Sequence, residues 1–97
     1  MKAISESDLH PHLKARMLQR GISLQEIQET LVRGRDAGDA QEGIFGKVLA
    51  FPFNAEWEGK FFEEKEVTVY YKYKQDAFVL LTAKARYGSG FIRKEEP

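Results

Sequence analysis

Residues 67–73 and 78–87 read VTVYYKY and FVLLTAKARY, two runs rich in β-branched and aromatic side chains with only a short polar connection around residues 74–76. Side chains of this kind suit a pleated, half-buried surface, and so short a connection predicts an antiparallel hairpin. The hairpin decides the fold class, because the residues before it must supply the layer that buries one of its faces.

Working back from it, residues 45–53 alternate loosely around Val48 and predict a further strand. Residues 54–66 place Trp57, Phe61 and Phe62 among glutamates and predict a loop or an irregular hairpin. Residues 34–43, GRDAGDAQEG, are rich in Gly and Asp without periodicity and predict a loop. The first third changes to a helical period. Pro11 suits a first helical position, Leu9, Leu13 and Met17 recur every four residues, and Gly21 supplies a left-handed stop. Ser23 and Glu26 have the spacing of a capping box, and Ile22 and Ile27 that of a hydrophobic staple. Leu24, Ile27 and Leu31 then form one apolar stripe, and Gly34 follows its end. Helices over residues 11–19 and 24–33 followed by an antiparallel sheet make an α+β fold, with two N-terminal helices packed on one face of a small sheet. Leu13, Met17, Ile27, Leu31, Val69, Val79 and Leu81 are the expected core.

Size and composition bound the function. At 97 residues the chain has the length of one domain, 1–97, and Leu, Ile, Val and Phe supply 25 of them, above the roughly 20% below which chains tend to stay disordered. No cysteine is present, which excludes disulfides, thiolate zinc and cysteine nucleophiles and makes a reducing cytoplasm the expected location. No apolar run reaches the ~18 residues of a spanning helix, and residues 1–7 lack the apolar core of a signal peptide, so no membrane role is expected. Fifteen Lys and Arg balance fifteen Asp and Glu, which leaves no whole-molecule field to attract nucleic acid. The charge is uneven, however: residues 55–66 hold five glutamates against two lysines, and residues 67–94 hold six basic residues against Asp76.

If Val67, Val69, Tyr71, Val79, Leu81, Ala83 and Ala85 face the helices, the two-residue period of a strand sends Thr68, Tyr70, Lys72, Leu80, Thr82, Lys84 and Arg86 to the other side. Hydroxyls, an aromatic ring and cations on one open face can hold a phosphodiester backbone and stack a base. Lys, Thr and Arg are equally the ordinary composition of a solvated sheet face. On the first helix, His12, Arg16 and Arg20 fall at i, i+4 and i+8 and form one polar stripe. An imidazole there can move a proton and two guanidiniums can hold a phosphate; a merely solvated stripe has the same spacing. His10 and His12 are joined by no ligand-grade cluster, so neither a metal nor another cofactor is expected.

The segment HLKARMLQRGI, His12 to Ile22, continuing to Ser23 and Ile27, resembles the opening signature (His, Arg-Met four residues on, then Arg-Gly-Ile) of a widespread small bacterial family of unknown function. Residues 65–88, KEVTVYYKY…VLLTAKARYG, resemble the strand hairpin with which members of that family end. That family is similar in its helix-helix-sheet order to the RelE, ParE and HigB toxins of toxin–antitoxin pairs, and is often grouped with metal-independent ribonucleases of that fold. The resemblance implies a RelE-like domain that cleaves messenger RNA without metal. It implicates Lys84, Arg86 and Tyr87 on the last strand, and the opening signature implicates His12, Arg16 and Arg20. Such toxins are usually distinctly basic, whereas this chain is neutral, and period 2 sets Tyr87 on the opposite side from Arg86 unless Gly88 or Gly90 twists the strand end.

The reaction expected on that reading uses the ribose 2′-hydroxyl as nucleophile, with His12 or Tyr87 moving the proton and Arg86, Lys84 or Arg16 stabilising phosphate charge. Arg20, Tyr70, Lys72 and Thr82 would bind the nucleic acid. DNA lacks that hydroxyl and should be inert. RNA or the ribosome and a cognate antitoxin are the partners expected of a toxin. The competing class is a non-catalytic protein- or nucleic-acid-binding module of the same fold, or a homodimer formed through Phe61 and Phe62, and a third is an inhibitor of DNA gyrase of the ParE kind.

Overall fold

The computed structural model describes residues 9–91; residues 1–7 and the basic Arg93 and Lys94 lie outside them. The chain runs α1 (Pro11–Arg20), α2 (Leu24–Arg33), β1 (Arg35–Asp36), β2 (Phe45–Trp57), β3 (Lys60–Lys74) and β4 (Ala77–Gly88). The strands form one antiparallel sheet in the order β1-β2-β3-β4.

Both helices begin and end as their sequence dictates. The His10 side chain accepts from the backbone N–H of His12, Pro11 opens α1, and Gly21 closes it at φ 70°. At Gly21 the backbone also passes so close to the Trp57 and Tyr87 rings that a Cβ would sit 2.6 Å from Trp57 Cζ3. Glycine is required there twice over, by conformation and by space. In α2 the capping box is complete: Glu26 N–H donates to Ser23 Oγ at 3.1 Å and Ser23 N–H to Glu26 Oε1 at 2.9 Å.

The buried cluster joins Leu9, Leu13, Met17, Ile22, Ile27 and Leu31 of the helical layer to Val67, Val69, Tyr71, Leu80 and Ala83 of the sheet. Removing a side chain such as Leu13 or Ile27 completely from water stabilises the fold by about 1.5 to 3 kcal/mol. The helices therefore lie across one face of the α+β pair, called the inner face below; the outer face is the other.

One of two alternatives is selected and one expectation changes. Residues 54–66 are continuous hairpin rather than loop: β2 and β3 run to Trp57 and Lys60 and turn on Glu58 and Gly59, whose φ values of 52° and 82° match the right-handed twist of the strands. The irregularity sits instead between Pro52 and Ala55, where the register shifts and Asn54 takes φ 47°. The changed expectation is in the core. Tyr70 pairs with Thr82 but Tyr71 with Leu80, so Leu81 is an extra residue in β4, a β-bulge. Beyond the bulge the alternation is reversed. Leu80 enters the core at 7% exposure, while Val79 and Leu81, expected inside, are only half-buried.

Candidate functional site

The outer face is not bare. After β1 the chain crosses it as a short strap, residues 37–39, held by the backbone bond from Ala37 N–H to the Gly46 carbonyl. Gly46 lets the strap lie flat, because a Cβ there would be 2.8 Å from Ala37 Cβ and 3.1 Å from the Tyr70 ring. Val48, Ala50, Glu66 and Thr68 are buried although their register places them on the outer side. A cavity of about 410 Å³ remains beside the strap, lined by Arg35, Gly38, Asp39, Thr68, Lys84 and Arg86 over a floor of Val48 and Glu66.

Polar contacts at this cavity fall into two sets. Glu66, its side chain only 8% exposed, accepts from Arg86 Nε at 2.9 Å and Nη2 at 2.8 Å on one oxygen, with Arg35 Nη2 3.6 Å from the other. The Phe91 ring lies 4.8 Å from the Arg86 guanidinium carbon, so that side chain is clamped between a carboxylate and an aromatic face. In the second set, Asp39 accepts from the Tyr70 hydroxyl at 2.8 Å and from Lys84 Nζ at 3.0 Å. These two hydrogen bonds hold the Asp39 carboxyl below its usual range, the bond from Lys84 contributing most. Burial pushes the Tyr70 phenol up, and the bonds to Tyr70 and Asp39 push the Lys84 ammonium up, so both keep their protons at neutral pH. Three cations against two carboxylates leave the cavity with one excess positive charge.

Among the residues singled out from the sequence, Lys84, Arg86, Tyr70, Thr82 and Lys72 all fall on the outer side of β3 and β4, and the first three surround the Asp39 and Glu66 carboxylates. The others do not join them. Tyr87 stands on the inner side, opposite Lys65, and its hydroxyl donates to the Arg20 carbonyl at 2.6 Å. Stacked on Trp57 and packed by Phe53 and Phe62, it is pushed by burial up to about 12, which leaves no proton to exchange near neutrality. Arg20 donates from Nη1 to the Ala83 carbonyl at 2.6 Å and so ties α1 to β4. Arg16 reaches Gln19 at 3.4 Å on the open side of α1. His12 borders a different cavity, of about 640 Å³, between the start of α1 and residues 78–81 of β4, and is not brought to Arg86. Of the two residues of the expected dimer contact, Phe61 is exposed, whereas Phe62 is half-buried and packs against Tyr87.

Sequence reasoning missed Arg35, Asp39 and Glu66. Glu66 carried a signal, since it is a glutamate at an outward position of a strand in which Val67, Val69 and Tyr71 turn inward. Asp39 carried none, because its partners lie 31 and 45 residues away. Among the described residues, no group of three or more His, Asp or Glu side chains is gathered as metal ligands would be, and no helix is long and apolar enough to cross a membrane. Compared with protein-family models, with curated proteins and with solved structures, the chain matches none.

Proposed function

We propose that the outer face is the working surface of a toxin-like, metal-independent ribonuclease, in which the strap cavity holds one phosphodiester of a single-stranded RNA. The carrying observation is the convergence of Arg35, Lys84 and Arg86 around one open cavity whose floor holds a carboxylate, with the proton-bearing Tyr70 hydroxyl bonded to the Asp39 carboxylate that lines it. Guanidiniums match the fork of a phosphate, and a cation held by packing needs no reorganisation when charge develops on the phosphoryl oxygens.

The reaction consistent with this set is transesterification. The ribose 2′-oxygen attacks phosphorus while its proton passes to the Glu66 carboxylate; the bond from phosphorus to the 5′-oxygen breaks; and Lys84 or Tyr70 protonates that leaving oxygen. A 2′,3′-cyclic phosphate and a 5′-hydroxyl result. This assignment moves the proton-transfer roles from His12 and Tyr87 to Glu66 and to the Tyr70–Lys84 pair, because Glu66 and Lys84 line the cavity and Tyr70 bonds to Asp39 in its wall, whereas His12 borders another cavity and Tyr87 stands on the inner side.

The test is cleavage of a reporter RNA by the purified chain, with and without ribosomes, in excess chelator. Cyclic-phosphate ends from RNA, with DNA of the same sequence left intact, are expected; a chain inert in every format overturns the reading. One observation favours a second reading, a non-catalytic binding module of the same fold: Arg86 and Lys84 are already engaged by Glu66 and Asp39. Binding of RNA without cleavage would select it.

A further inference from the structure

The Asp39 carboxylate does what a bound phosphate would do. Its two oxygens take the Tyr70 hydroxyl, and one of them also takes the Lys84 ammonium. A phosphodiester offers two non-bridging oxygens of the same charge and similar spread. The carboxylate belongs to the strap rather than to the sheet, follows Gly38, and is 59% exposed, while Lys84 is 47% exposed. Both partners are therefore open to solvent, and an ion pair of this kind holds only weakly. The second carboxylate of the cavity, Glu66 at 8% exposure, is part of the floor and cannot leave in the same way. Lys84 is further steered by the Tyr70 ring, 5.5 Å from Nζ, which keeps the cation in place when its counter-ion goes.

From this contrast we infer that the Tyr70–Lys84 pair is an oxyanion subsite filled by the chain's own Asp39, and that a phosphodiester of single-stranded RNA binds there by displacing that carboxylate and lifting the strap. The inference rests on the proposed RNA-binding role of the outer face and adds to it a competing internal ligand. Removing the competitor should strengthen binding, whereas removing a group that merely braces the site should weaken it.

The experiment measures binding of a short 2′-O-methyl oligouridylate, which cannot be cleaved, to the full chain over a range of salt. Asp39→Asn is expected to tighten binding by about threefold, the worth of one exposed ion pair. It should also steepen the salt dependence by up to about 0.7 in log–log slope, because no freed Asp39 carboxylate then recruits a cation to offset the counterions that the RNA releases. Lys84→Ala and Tyr70→Phe should each weaken binding. Asp76→Asn, the same charge change on the β3–β4 turn, should leave it unaltered. If Asp39→Asn binds no better than the native chain while Lys84→Ala still binds worse, the displacement is overturned and the RNA-binding reading stands. If Asp76→Asn tightens binding equally, only net charge is at work and the inference fails. If neither the native chain nor Asp39→Asn binds, both readings fall.

Discussion

The two faces of the sheet hold the same three chemical groups in opposite circumstances. On the inner face Lys65 reaches the Glu26 carboxylate at 2.8 Å and the Gly21 carbonyl, with the Phe53 and Tyr87 rings 5.7 and 5.6 Å away. On the outer face Lys84 reaches the Asp39 carboxylate at 3.0 Å beside the Tyr70 ring. The Lys65 side chain is 3% exposed and the Lys84 side chain 47%. A lysine, a carboxylate and a tyrosine thus make a permanent tie where water is excluded and an exchangeable contact where it is not. The inner set fastens the α1–α2 turn to β3; the outer set ties only the exposed strap to β3 and β4.

The sharpest way to break this comparison is to neutralise each carboxylate in turn. Glu26→Gln strands the Lys65 charge in a nearly closed site and should cost about 3 kcal/mol in chemical denaturation. Asp39→Asn should change stability by less than about 0.5 kcal/mol, as surface substitutions do. Equal losses would erase the distinction between the faces. Next in size is the bulge that sets which residues of β4 belong to which face: Leu80→Ala should cost about 2 to 5 kcal/mol and Leu81→Ala less than about 1. The reverse order would return β4 to unbroken alternation. On the proposed reading Arg86→Ala should lower RNA cleavage about a hundredfold, with a stability loss of about 1 to 3 kcal/mol because the Glu66 carboxylate, 8% exposed, loses its two closest donors. Arg86→Lys should restore part of the rate. Tyr87→Phe loses one bond to the Arg20 carbonyl and should cost about 1 kcal/mol, with the pH–rate profile unmoved.

Titration separates the faces as well. The Asp39 carboxyl is lowered in the folded chain, so the strap contact is fully present above the ordinary value of 3.8 and is lost as pH falls through the lower folded value. Carboxyl NMR should place Asp39 below 3.8 in the native chain and return it toward 3.8 in Lys84→Ala. Tyr87 behaves in the opposite sense. Its folded value is raised to about 12, so its contribution is complete below 10.0 and declines as pH rises from there toward 12. Ultraviolet titration should show this one tyrosinate forming last.

The helices were legible because their signals are local: the Ser23–Glu26 box, Pro11 and Gly21 each act within a few residues. The β3–β4 hairpin was legible for the same reason, its turn closing on Gln75 and Asp76. What escaped was non-local. Alternation assigns faces only while the register is unbroken, and the single extra residue Leu81 exchanges Leu80 with its neighbours. The outer-side positions of Lys84 and Arg86 were readable from period 2, whereas the carboxylates that hold them come from the strap and from the neighbouring strand.

Sheets that end in a free strand invite other chains to continue them, and this sheet has two such margins. On one, β1 covers only the part of β2 near Lys47 and Val48, and the uncovered stretch carries Pro52, which has no N–H to offer an incoming strand. On the other, the Leu81 bulge interrupts the repeat of β4, and the Arg20 guanidinium already occupies the Ala83 carbonyl. The bulge that exchanges faces in β4 and the proline on the opposite margin therefore make each edge a poor template for a strand added from another chain.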